Sequence, residues 1–224
     1  MPARMRVGVI VPSSNTVVEL DFQRANPGSI STHFARAFLA ETTVTAERVM
    51  IEKHVPQAAI DLGSAQVGIL VFACTSAAAM LGVDGERALI EQLSDLAGAP
   101  VVSTNDAVAR SLQAASTGRV AVLTAYIDEL NQAIAGTLRR RGVEVVMIDG
   151  MGITDNFGIA EVTPAEIVEF AEGRLRRENF DTVFISCTNL RAMEAKADLE
   201  SRLGKPVVTS NSATIGAVLA VAGS

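Results

Sequence analysis

Cys74 and Cys187 are the only cysteines in the chain, and they stand in the same local setting. An apolar run leads into each, and a threonine with a second polar residue follows: ACTS at 73–76 and SCTN at 186–189. A thiol between a strand and a helical stretch opening on Thr75-Ser76 or Thr188-Asn189 meets the positive end of the helix dipole and unpaired backbone N–H groups. Both favour the thiolate, the form of cysteine that attacks carbon. The expectation is a lowered pKa for each cysteine with no help from histidine, since His33 and His54 lie outside the strand-end turns. A single buried cysteine is ordinarily a small hydrophobe. Two at matching positions, each followed by Thr, point instead to a catalytic pair.

Other strand-end turns supply Ser13, Ser14, Asn15 and Thr16, then Ser103, Thr104 and Asn105, then Thr209, Ser210 and Asn211. Taken singly, these residues are ordinary helix caps. As a converging set without Lys or Arg they suit a carboxylate held by neutral donors. Few charges in such a site also avoid over-stabilising an anionic ground state. Tyr126, the only tyrosine, follows a strand of the second half, where its hydroxyl can reach the same region or simply meet solvent. Asn156 lies in the polar loop TDNFGIAE, which reads equally as a ligand-covering loop and as a plain turn.

These turns need strands to end where they begin. Apolar, β-branched runs predict strands at 7–11, 67–72, 101–103, 119–123, 144–147, 182–185 and 207–209. Helical patterns fall at 46–62, with Thr45 as its start, and at 85–96, 107–115, 127–141, 164–178 and 189–202. This alternation predicts an α/β fold with parallel sheets flanked by helices. The chain also repeats itself. VGVIVPSSNT, VGILVFACTSAAAM and PVVSTNDAVARSL are answered by VAVLTAYIDEL, TVFISCTNLRAM and PVVTSNSATIGAVL, and the offset from Val7 to Cys74 equals that from Val120 to Cys187. The repeat predicts two lobes related by a pseudo-twofold axis. The first would be 1–115 with 207–224 packing back, the second 116–206, and the strand-end turns of both would face one cleft.

Composition narrows the partners. Hydrophobic residues are 49% of the 224 and aromatics only 4%, which suits a sizeable core of Val, Ile, Leu, Ala and Met. A net charge of −6 argues against a nucleic-acid footprint. The cluster Arg139-Arg140-Arg141 reads as cations at a helix C-terminus. No apolar stretch is long enough for a bilayer and the N-terminus lacks a leader pattern, so a cytoplasmic protein with reduced thiols is expected. Neither GxGxxG, GxxxxGK[ST], GxSxG nor a metal-ligand spacing occurs, so no cofactor is expected. A small-molecule substrate and, as the base-rate expectation, a homodimer complete the picture.

PSSNT at 12–16, ACTS at 73–76, SCTN at 186–189 and TSN at 209–211, in this order, resemble the maleate cis-trans isomerases of the aspartate/glutamate racemase superfamily. That superfamily includes arylmalonate decarboxylases and hydantoin racemases. The resemblance spans essentially the whole chain and implies cofactor-independent conversion of maleate to fumarate through a succinyl-cysteine. In that scheme Cys74 adds to an alkene carbon and Cys187 protonates its neighbour. Ser14, Asn15, Thr75, Ser76, Tyr126, Asn156, Thr188 and Asn189 would surround the diacid. Arylmalonate decarboxylases lack the first-lobe cysteine, which Cys74 supplies here. An amino-acid racemase would use the pair as acid and base. A decarboxylase-like enzyme and a non-catalytic two-lobed dicarboxylate-binding or sensor domain stay open as well.

Overall fold

A computed structural model describes residues 5–115 and 118–223. The elements run β1 (Met5–Pro12), α1 (Val18–Ala25), β2 (Ile30–Ala37), α2 (Val44–Val49), a π turn (Met50–His54), α3 (Val55–Ser64), β3 (Ile69–Phe72), α4 (Thr75–Ala97), β4 (Val101–Ser103) and α5 (Thr104–Ala114). They continue β5 (Arg119–Thr124), α6 (Asp128–Arg140), β6 (Glu144–Gly150), α7 (Asn156–Glu161), α8 (Pro164–Leu175), β7 (Thr182–Ser186), α9 (Ala192–Leu203), β8 (Val207–Thr209) and α10 (Ser210–Ala222). All strand pairs within the two sheets are parallel. The sheets run β2-β1-β3-β4 and β6-β5-β7-β8, the same order twice, as the internal repeat requires.

The central strands behave as their composition dictates. β3 (ILVF) and β7 (TVFIS) are buried at every position, because helices cover both faces of a parallel sheet. β2 (ISTHFARA) was not foreseen: its polar residues suit an edge strand, and only Ile30 and Ala37 are buried. α1, α7 and α10 are likewise additional helices.

Several boundaries differ from those read in the sequence. The helix expected at 85–96 is the second half of α4, which begins at Thr75 and breaks at Gly82, whose φ of 68° suits glycine. Thr43, not Thr45, caps the helix that follows it, its Oγ1 accepting from the Ala46 N–H. The helix placed at 189–202 begins at Ala192, so Thr188 and Asn189 form a turn rather than a helical opening. The block 207–224 does not return to the first lobe as a unit. β8 pairs with β7 in the second sheet, whereas Ile215 and Val218 of α10 join the core around β1 and β3. The expected boundary at 115/116 adjoins 116–117, outside the described residues.

The lobes are tied together through α6. Thr137 Oγ1 donates to the Ala79 carbonyl at 3.2 Å. Arg141 reaches Glu86 on α4 at 2.7 Å and Asp106 on α5 at 2.9 Å. Arg139 and Arg140 do occupy the last turn of α6, but Arg141 is an inter-lobe link rather than a solvated helix end.

Candidate active site

Each sheet ends in turns that deliver one cysteine. Cys74 follows β3 in extended conformation and stands immediately before α4, whose Ala77 N–H reaches its sulfur. Ser76 Oγ lies 3.9 Å from Cys74 Sγ. Cys187 follows β7 with a φ of 141°, a region costly for a residue with a Cβ. The surroundings hold it there: its N–H donates to Ser210 Oγ at 3.1 Å, and Asn189 N–H donates to its Sγ at 3.3 Å. Tyr126, in the turn after β5, is hydrogen-bonded to the Cys187 thiol. Both cysteines are buried and unpaired.

The strained backbone gives a separable prediction for stability. Cys187→Gly should be more stable than Cys187→Ala by about 1 kcal/mol, because glycine tolerates positive φ. Urea denaturation of the two variants checks it. An alanine variant as stable as the glycine variant would mean that the backbone at 187 carries no strain.

The remaining residues picked from the sequence interlock around this pair. Asn15 Nδ2 donates to Thr188 Oγ1 at 3.1 Å, and Asn15 Oδ1 caps α1 by accepting from Val17 and Val18 N–H. Thr16 N–H donates to Asn189 Oδ1, and Asn189 Nδ2 donates to the Asn156 carbonyl at 2.6 Å. Asn156 Nδ2 donates to Ser14 Oγ at 2.7 Å, and Thr42 Oγ1 donates to Asn156 Oδ1. Thr188 Oγ1 donates to the Ala73 carbonyl, joining the second cysteine turn to the first. Thr75 Oγ1 and Ser210 Oγ are 3.0 Å apart. Thus Ser14, Asn15, Thr75, Ser76, Tyr126, Asn156, Thr188 and Asn189 gather with the two cysteines where the lobes meet. Other turn residues are structural: Ser103 and Thr209 cap helices, and Asn211 bonds Asp21 and the Thr188 carbonyl.

Electrostatics correct one expectation. A helix-end amide at Cys74 and turn amides at Cys187 do stabilise the thiolates, but burial outweighs them and raises both thiols above the usual cysteine value. Cys187 is pushed up to about 11, the rise being limited first by Tyr126 and then by the Asn189 and Leu190 amides. Cys74 rises further, because the nearby Glu47 charge adds to burial. Burial also raises the Tyr126 hydroxyl.

Glu47 and Thr42 were not foreseen as part of the site, whereas Ser210 belongs to the polar turns expected to hold a carboxylate. Glu47 reads in the sequence as an ordinary helix acid but is fully buried, with Ser76 Oγ donating to its Oε1. Among the described residues, no His/Cys/Asp/Glu group has the geometry to hold a metal, and no helix is long and apolar enough to cross a membrane.

Comparison with known proteins agrees with this architecture. The sequence is 29% identical to the arylmalonate decarboxylase of Bordetella bronchiseptica, over 97% of this chain and 90% of that one. It is 28% identical to the maleate isomerase of Pseudomonas putida KT2440, over 96% and 90%. The fold matches that of a cysteine-to-serine variant of Nocardia farcinica maleate cis-trans isomerase with a covalently bound succinylcysteine intermediate. The TM-score there is 0.89 at 20% identity, covering 97% of this chain and 92% of the other. A sequence model described as arylmalonate decarboxylase (Amdase) matches residues 7–224. The chain therefore belongs to the arylmalonate decarboxylase family of enzymes, whose relatives include the maleate isomerases.

Proposed function

We propose that this protein is a cofactor-independent cis-trans isomerase of maleate or a closely related cis-diacid. The observation that carries the reading is the pair of buried cysteines, one delivered by each sheet into one cluster of polar side chains. Cys74 separates it from a decarboxylase that works with the second-lobe cysteine alone.

The chemistry follows from the pair. Cys74 reacts as the thiolate, its proton having passed to solvent before the cycle begins, and its sulfur adds to one alkene carbon of the diacid. The S–C bond forms as the π pair moves to the neighbouring carbon, which takes the proton of the Cys187 thiol. The resulting succinyl adduct has a C–C single bond about which it can rotate. Reversal completes the cycle: the Cys187 thiolate removes the proton, the C–S bond breaks, and the trans diacid leaves with Cys74 again a thiolate. Asn15, Tyr126 and Asn156 hold the two carboxylates, and Ser14, Thr75, Ser76, Thr188 and Asn189 line the site with neutral groups.

The two cysteines have different surroundings despite the repeat. Tyr126 bonds Cys187, while Ser76 and Glu47 flank Cys74. These surroundings make Cys187 the more acidic thiol, the reverse of the order the addition needs. Burial comes first among the causes holding Cys74 high, and the Glu47 charge comes next. Cys187→Ser incubated with maleate should accumulate a covalent adduct on the Cys74 peptide, read by mass spectrometry. An adduct on Cys187 of the Cys74→Ser variant alone would exchange the two roles. No adduct in either variant would contradict covalent catalysis.

A further inference from the structure

Glu47 is a buried acid that the addition and protonation steps leave without a task. It sits on α2, and its Oε2 has no hydrogen-bond partner among the described residues. An orphaned carboxyl oxygen in a buried site is costly, and native structures rarely tolerate one without a reason. No cation offsets it: the influences on its charge are burial and the Ser76 hydroxyl. On α2 and the π turn, Arg48, Glu52 and Lys53 are exposed, and His54 packs against Phe38. Beyond the kink in α4, Glu86 is paired with Arg141, and Asp84 pairs with Arg87 and Arg140 at the surface. Across the site stand Cys74, Cys187 and Tyr126, each of which feels the charge of Glu47.

A carboxylate at this place would face a thiolate and a dianionic diacid with nothing to neutralise it. A protonated carboxyl would instead present an O–H that lacks an acceptor, as a neutral acid in an apolar active site can. Resting on the diacid reading above, we propose that Glu47 binds substrate as the neutral acid. Its Oε1 accepts from Ser76, and its Oε2–H donates to a carboxylate oxygen of the diacid.

Two consequences follow. Burial pushes Glu47 up to about 8, so the donor stays protonated at neutral pH and is lost as the solution becomes alkaline. Diacid affinity then has an alkaline limit set by Glu47, since Cys187, at about 11, titrates well above it. The neutral acid also leaves Cys74 without an adjacent negative charge during addition.

The test uses succinate, a saturated diacid that cannot isomerise, titrated calorimetrically into the wild type and Glu47→Gln from about pH 7 to about pH 9.5. The amide of Glu47→Gln still donates but does not titrate. The wild-type Kd should rise by about tenfold per pH unit above about 8, while that of Glu47→Gln stays level. A level wild-type profile, or the same alkaline loss in Glu47→Gln, would overturn the proposal. Maleate turnover measured in parallel separates the two layers. Turnover with a level wild-type profile removes only the role of Glu47. Failure to bind succinate or to convert maleate at any pH removes the isomerase reading and this proposal with it. Should Glu47→Gln not fold, the wild-type infrared spectrum decides. A protonated-carboxyl band that shifts on succinate binding at neutral pH supports the role, and no such shift overturns it.

Discussion

Replacing Cys74 with alanine is expected to reduce conversion of a cis-diacid to the uncatalysed background, because it removes the attacking sulfur and leaves Cys187 as a proton donor with no adduct to protonate. Cys187→Ala should lower kcat by ~10²–10⁴, the range for loss of a positioned proton donor. Both variants should still bind succinate, since the neutral donors around the diacid remain in place. The split between lost kcat and retained affinity distinguishes removal of a reacting group from collapse of the site. Steady-state kinetics and calorimetry on the two variants check it. Substantial turnover by Cys74→Ala would refute the covalent route. The two losses should not add in the double variant, because the thiolate and the proton donor act in a single addition step.

The second large effect concerns stability. Glu86 is fully buried, and Ser103 Oγ and Arg141 are its partners. Arg141 is itself largely buried, its side chain 15% exposed. Arg141→Met should destabilise the fold by about 3–5 kcal/mol, because it strands the Glu86 charge in the interior. Adding Glu86→Gln should recover much of that loss, since a neutral amide no longer needs the guanidinium. Urea unfolding of the single and double variants measures both. A loss under about 1 kcal/mol for Arg141→Met would mean that the link behaves as an ordinary surface ion pair. Because Arg141 joins α6 to α4 and α5, weakening it also loosens the lobes that bring the two cysteines together.

Local pattern made the architecture and most of the candidate site legible. The continuous apolar runs before Cys74 and Cys187 are strands buried on both faces, and the repeat of motifs became two sheets of identical order. Ser14 and Asn15 share the turn after β1 and Tyr126 lies in the turn after β5, where strand-end geometry points, whereas Asn156 entered the expected site only through the family resemblance. What escaped depends on tertiary context. β2 carries Ser31, Thr32, His33 and Arg36, a pattern that signals an edge strand only once β1 is known to need a neighbour. Arg141 reads as a helix-end cation because its partners lie on α4 and α5, far away in sequence.

Glu47 and the thiol acidities escaped for the same reason. A dipole at a helix start is a local property that sequence announces, whereas desolvation depends on everything packed above the group. Here desolvation wins at both cysteines. The acid that flanks one of them, and so breaks the symmetry of the repeat, was indistinguishable from a surface glutamate until its burial was known.

The most direct test is to incubate the reduced wild-type protein in D₂O with maleate, and in parallel with aspartate and with glutamate, with no added cofactor, and follow the products by proton NMR. The account predicts fumarate, formed by the wild type and by neither Cys74→Ala nor Cys187→Ala at a comparable rate. Maleate left unchanged while deuterium enters the α-position of aspartate or glutamate would contradict it and make the cysteine pair that of a racemase.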